Sequence, residues 1–248
     1  MGLMLRLLLL AVGLYSQGSI AAPEGLPDNY PETRQRVDSQ AFPWRAIGQL
    51  NMAGRGSCTA TLVGPDVIVT AAHCLWNKDT GRWFPADFVH FVAGFSGEEY
   101  QAHSKGKQIY TNPAYDPTLE SNLTNASTDW ALIRLQEPIG DSLGYLPVYQ
   151  AKNSAQHWLQ AGYRLDRSYV LTVHDNCQLQ SLSVKQIAGL AGHYCDTTQG
   201  DSGGPMLVKL EQGVAVAGVY IGRMQANNLR LVVLSQHWQK RLKLWLQK

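Results

Sequence analysis

From Phe42 onward the chain is a succession of short β-prone runs, and this constrains the fold more than any other feature. Ala46 to Leu50, Thr59 to Val63, Val67 to Thr70, Phe88 to Ala93 and Trp130 to Leu135 form one set. Tyr169 to Val173, Met206 to Leu210, Val214 to Ile221 and Arg230 to Leu234 form a second. Turn residues separate the runs, as at Gly64-Pro65-Asp66, where each residue type favours a reversal. No long segment of helical period interrupts them until the tail. Many short strands with frequent turns predict an all-β sandwich or barrel, and periodicity does not choose between the two. In the tail, Ser235 is expected to cap a helix whose apolar positions are Trp238, Leu242, Trp245 and Leu246. Lys240, Arg241, Lys243 and Lys248 place positive charge towards its C-terminal end, where the helix dipole favours it.

The N-terminal residues read as a targeting segment. Arg6 and the amino terminus precede an apolar run from Leu7 to Leu14, and Ser19-Ile20-Ala21 offers small residues for a cleavage after Ala21. The run is shorter than the ~20 residues a membrane-spanning helix needs. Residues 1–21 are therefore expected to be a signal peptide of an exported protein, secreted or periplasmic. From Ala22 to Gln40, Pro23, Pro27 and Pro31 stand among polar residues, which predicts an extended arm or propeptide rather than a helix. Charged residues are 16% of the chain and the formal net charge is +2, too small a bias to imply a nucleic-acid partner. Four cysteines in an exported chain predict two disulfides, with three possible connectivities. His73-Cys74 and His193-Tyr194-Cys195 lack the spacings of strong zinc motifs, so no metal is expected.

The chemistry centres on Gln199 to Pro205, QGDSGGP. A serine hydroxyl is a weak nucleophile and needs a base for its proton and donors for the oxyanion. Gly200, Gly203 and Gly204 permit the chain to turn sharply around Ser202. The N–H groups of Gly200 and Ser202 can then point into one cavity, an oxyanion hole. Upstream, VTAAHC places His73 after an apolar run, and DWALIRL places Asp129 before another. The order His73, Asp129, Ser202 is one of the known orders of a Ser-His-Asp triad.

TAAHC, DWALIRL and GDSGGP resemble the histidine, aspartate and serine boxes of the chymotrypsin-like (trypsin-fold) serine peptidases. The resemblance runs from about Phe42 to the C-terminus. Cys195-Asp196-Thr197-Thr198 is similar to the glutamyl-endopeptidase-like branch, which often carries Asp-Thr before its serine box. The resemblance implies two six-stranded antiparallel β-barrels ending in an α-helix packed on the second. The first barrel, with His73 and Asp129, would span 41–142, and the second, with Ser202, 143–248. It also implies Cys58–Cys74 and, with it, Cys177–Cys195, each worth on the order of 3 kcal/mol. It further implies a monomeric endopeptidase acting on polypeptides, with no cofactor and no membrane association.

The resemblance places a specificity pocket at Asp196, Thr197, Tyr220, Gly222 and Arg223. Asp196 lies where trypsin-like enzymes carry the acid that binds lysine or arginine, but here the cysteine precedes the acid. Arg223 is expected to pair with Asp196 and cancel its field, which predicts no strong trypsin-like preference. Tyr220 stands where glutamate-specific relatives carry a histidine. Trypsin-type zymogens create an apolar N-terminus that pairs with the aspartate before the serine. Arg36-Val37-Asp38 is followed by no such motif, so Asp201 is expected to have an internal partner, an arginine or backbone amides. Asn122 and Asn125 open acceptor patterns for N-glycosylation, implying a polar, exposed loop before Asp129. Two other readings are weaker. An α/β-hydrolase needs the order serine, acid, histidine. A non-catalytic binding protein of this fold usually lacks a triad member or an oxyanion-hole glycine, and none is missing here.

Overall fold

β-branched and aromatic side chains make these runs strands, several of them buried along nearly their whole length, as in Val67–Thr70, and turns fold the strands onto one another. The structure, a computed structural model, describes residues 33–119, 122–149, 157–181, 189–224 and 228–247. The proposed signal peptide and most of the arm lie outside these.

In chain order the strands are β1 (Arg34–Arg36), β2 (Ile47–Met52), β3 (Ser57–Leu62), β4 (Val67–Thr70), β5 (Trp76–Asn77) and β6 (Arg82–Trp83). They continue with β7 (Val89–Ala93), β8 (Ala102–Thr111), β9 (Ala131–Leu135), β10 (Trp158–Gly162) and β11 (Thr172–Cys177). The last five are β12 (Leu179–Ser181), β13 (Leu190–His193), β14 (Pro205–Lys209), β15 (Val214–Arg223) and β16 (Arg230–Leu234). Helices are short: α1 (Leu123–Ala126), α2 (Gly140–Leu143) and α3 (Gln239–Leu246).

The first six-stranded barrel closes in the order β2-β3-β4-β9-β8-β7, which removes its edges. Leu50, Leu62, Ile68, Phe91, Leu132 and Ile133 fill it and are fully buried. The second half is an eight-stranded sheet in the order β1-β11-β10-β14-β15-β16-β13-β12, antiparallel throughout. Among the described residues it forms a half-barrel rather than a closed one. One of its edge strands, β1, comes from the N-terminal arm, so part of that arm belongs to the described fold. The chain crosses between the halves after α2, where Leu146 donates to Leu62 O (2.9 Å) and Val148 bridges Val216.

The tail departs from two expectations. Ser235 caps nothing. It lies in a 3-10 turn, and its hydroxyl donates to Tyr149 O (2.5 Å). Helix α3 packs on the first barrel, where the second was expected. Arg134 of β9 donates to Trp245 O (2.6 Å) and lies over the Trp245 ring, and Arg241 stacks on Tyr110 of β8 at 4.1 Å. Of the expected apolar positions, Trp238, Leu242 and Trp245 are buried and Leu246 is exposed. No helix among the described residues is long and apolar enough to cross a membrane.

Candidate active site

Two left-handed glycines build the serine turn. Gly200 (φ 90°) and Gly203 (φ 80°) sit where most side chains cannot. Space is as restrictive as angle, since a Cβ on Gly203 would stand 2.1 Å from Thr70 Oγ1 and 2.2 Å from Thr59 O. Both halves of the fold clamp the turn. Thr59 of β3 donates its N–H to Ser202 O and its hydroxyl to Gly200 O, each at 2.8 Å. On β15, Tyr220 O accepts from Gly203 N–H (2.8 Å), and Tyr220 N–H donates to Gly204 O (2.9 Å). The N–H groups of Gly200 and Ser202 have no protein acceptor among the described residues. Two unaccepted donors beside one hydroxyl are what a developing oxyanion needs.

His73 lies in the 3-10 turn that follows β4, and Asp129 lies two residues before the start of β9. These strands are neighbours in the barrel, so the pairing of β4 with β9 brings the two residues together. Asp129 engages His73 at two points. Its Oδ1 accepts the His73 backbone N–H (2.9 Å), and its Oδ2 lies 2.7 Å from Nδ1. The carboxylate is buried, whereas the imidazole is 30% exposed, so one edge of the ring is open to a substrate. Burial lowers the imidazole's pKa, but the charge and hydrogen bond of Asp129 more than reverse this and leave it above its ordinary value. His73, Gly200 and Ser202 line one open cleft of about 500 Å³, with Trp76, Phe84 and Gln199.

Disulfides join Cys58 to Cys74 and Cys177 to Cys195. The first ties β3 to the histidine turn. With all four sulfurs bonded to one another, neither Cys–His cluster offers a thiolate ligand.

The structure pairs Asp196 with a different arginine from the one expected. Arg164, in the turn after β10, donates to Asp196 Oδ2 (2.5 Å) and is held from behind by Asp166 (3.0 Å). Arg223 lies at the exposed end of β15, with Asn228 Oδ1 at 3.5 Å. The ladder to β16 carries Arg223 opposite Arg230, away from Asp196. Burial raises the pKa of Asp196, but Arg164, with help from Arg34, outweighs this and holds it below the usual carboxylate range. Asp196 is therefore an ionised, ion-paired carboxylate that shares Arg164 with Asp166. Thr197 and Tyr220 are buried, and the Tyr220 ring meets His193 edge-on at 5.8 Å. Burial first, and then Arg230, push His193 down to about 3, so this imidazole is neutral at working pH. Gly222 holds φ 143° at the β-bulge of β15.

Asp201 is fully buried. Its Oδ1 faces Arg34 Nη2 at 3.3 Å, and its Oδ2 accepts Thr198 N–H at 2.9 Å. Burial pushes this carboxyl up to about 6, with Arg34 and the Thr198 amide pulling it back. The segment before Asp129 also differs from expectation. Asn125 is buried in α1, its amide exchanging hydrogen bonds with Asp116 N (3.0 Å) and Asp116 O (2.9 Å). Asn122 is the helix cap, accepting Asn125 N–H. Asn125 is thus buried and hydrogen-bonded, not part of an exposed loop. Thr59, Arg34 and Arg164 were not singled out in the sequence, because each acts through long-range packing and none stands in a motif.

The trypsin family pattern matches residues 33–233. A glutamyl endopeptidase of Bacillus licheniformis is 31% identical over 115 residues, covering 46% of this chain and 34% of that protein. An extracellular metalloprotease of Bacillus subtilis is 25% identical over 185 residues, covering 71% and 55% respectively. The chain thus spans about a third to a half of the length of these curated relatives. Among solved structures, a Glu endopeptidase superposes with TM-score 0.70 at 20% identity, covering 87% of this chain and 97% of that one. The protease Anisep of Arthrobacter nicotinovorans does so with TM-score 0.64 at 17% identity, covering 81% and 93%. Likeness at that identity speaks to the fold.

Proposed function

The chain belongs to the trypsin family, and on that premise we propose that it is an exported serine endopeptidase working through Ser202, His73 and Asp129. One observation carries the reading. His73 is held at two points by a buried carboxylate, in the cleft that also contains Ser202 and two backbone donors without acceptors. In the mechanism, Ser202 Oγ attacks the scissile carbonyl while His73 Nε2 takes its proton. Asp129 keeps Nδ1 protonated and stabilises the imidazolium. The N–H groups of Gly200 and Ser202 receive the oxyanion, each contributing roughly 3 kcal/mol. His73 then protonates the leaving amine, and a water, deprotonated by the same imidazole, releases the acid.

For specificity, the ion pair of Asp196 with Arg164 weakens the field that would attract lysine or arginine and occupies the carboxylate. A second reading concerns an acidic side chain at the cleaved position. It is favoured by Arg230, whose buried Nε has no partner among the described residues and whose charge acts on both Tyr220 and His193. The glutamyl endopeptidase relative points the same way. Ser202→Ala should reduce peptide hydrolysis by several orders of magnitude with the fold intact, and undiminished turnover in that variant refutes the mechanism.

A further inference from the structure

Arg34 is the most heavily bonded side chain beneath the serine turn, and it comes from the N-terminal arm. It stands on β1, which adds to the edge of the second sheet by pairing with β11. Its side chain is only 2% exposed. Nε donates to Thr172 Oγ1 (2.9 Å), Nη2 to Thr172 O (2.6 Å), and Nη1 to Gln160 Oε1 and to Asp196 O (2.8 Å). Nη2 also reaches Asp201 Oδ1. The guanidinium therefore binds both ends of the 196–201 segment, at a backbone carbonyl and at the carboxylate preceding the serine. Between those ends lie Gly200 and the amide of Thr198 that Asp201 accepts.

A buried carboxylate without a counter-ion is strongly destabilising, and a turn built on it would rearrange to reach water. Arg34 meets that need from within the chain, held on β1 by its pairing with β11. We propose that Arg34 is a positioning residue that holds the oxyanion-forming turn in its working shape, so that no newly created chain terminus is needed to order it. The inference rests on the peptidase reading for its activity readout. Removing β1 therefore disables the enzyme.

The test compares the wild-type enzyme with Arg34→Ala, Arg34→Lys and a chain whose α-amine is selectively acylated. Acylation should leave kcat unchanged, and a loss of activity on acylation overturns the proposal. Arg34→Ala should lower kcat at least ~100-fold, the order seen when an oxyanion donor is lost, with KM changed far less. Arg34→Lys should retain an intermediate rate. Millimolar guanidinium chloride, at concentrations that do not unfold the protein, should restore a part of the alanine variant's activity that sodium chloride does not. Wild-type kcat in Arg34→Ala, or loss without guanidinium rescue in a folded variant, overturns the proposal. Should the alanine variant not fold, the lysine variant decides, since full wild-type exchange and kcat there would deny the fork's role. Hydrogen exchange at the Thr198 and Asp201 amides reads the same claim without turnover. Selective deprotection of these amides in the variants is expected, and unchanged protection overturns the proposal whether or not the enzyme cleaves peptides. Failure of the peptidase reading is separately visible as a wild-type protein that neither cleaves nor acylates.

Discussion

Asp129→Asn isolates the contribution of the two-point contact with His73. In the native protein both carboxylate oxygens accept, one from the backbone N–H at 2.9 Å and the other from Nδ1 at 2.7 Å. Asparagine has one acceptor and one donor. If its oxygen keeps the backbone N–H, its NH2 faces Nδ1 and forces the tautomer with the proton on Nε2. That nitrogen then cannot take the proton of Ser202. If the amide is flipped, two N–H groups oppose each other within about 3 Å in a buried site, which costs roughly 1–3 kcal/mol. The first arrangement is favoured, so kcat should fall about 10⁴-fold, or ~5 kcal/mol of barrier.

The pH profile sharpens this test. Asp129 raises the His73 pKa above its ordinary value, and the neutral imidazole is the active form. Wild-type kcat/KM should therefore rise with pH through that raised value, and the residual activity of Asp129→Asn should rise at lower pH. For stability the sign is opposite. The raised folded pKa stabilises fully below the ordinary histidine range, and this stabilisation is lost as pH rises through the folded value. The variant should lack that pH-dependent increment in urea unfolding. A loss of less than tenfold in kcat, or an unshifted profile, would refute the reasoning.

Three further outcomes follow from the packing and the pocket. Gly203→Ala places a Cβ at φ 80° against Thr70 Oγ1 and Thr59 O, so proteolytic activity should fall to background, and near-wild-type turnover would show the turn to be adaptable. Trp245→Ala removes a buried ring held by Arg134 and near Tyr110. It should cost about 3–5 kcal/mol in urea unfolding, and a change below 1 kcal/mol would deny that α3 stabilises the first barrel. On matched arginine, glutamate and phenylalanine substrates, arginine should not be preferred. A preference above ~100-fold in kcat/KM, nearly 3 kcal/mol, would show Asp196 to be an open pocket anion despite Arg164.

What could be read from the sequence was what is encoded locally. TAAHC, DWALIRL and QGDSGGP each carry their own chemistry and secondary structure, so three short segments marked the candidate site. Strand runs such as Val67–Thr70 were legible because β-branched residues dominate them. Arg34 and Arg164 were not legible as individuals. An internal partner for Asp201 was expected, but nothing near Arg34 says that β1 joins β11 more than a hundred residues away. The Arg223–Asp196 pairing failed because the bulge in β15 and its ladder to β16 fix where Arg223 points, and neither is visible in composition. Helix α3 was found by its period, but its partner depended on Arg134 and Tyr110 lying on adjacent barrel strands. The acceptor patterns at Asn122 and Asn125 imply an exposed loop, but a short pattern carries no packing information, and the Asn125 amide closes hydrogen bonds with Asp116.

The central claim is that Ser202 is a nucleophile activated by His73. The most direct measurement is intact-protein and peptide mass spectrometry after treatment with a peptidyl diphenyl phosphonate, which reacts with activated serines. The account predicts a single adduct per chain, mapped to Ser202, absent from Ser202→Ala and formed at least ~10³-fold more slowly in His73→Ala. An unlabelled Ser202 in a folded wild-type protein, or labelling that persists at the same rate without His73, would contradict it.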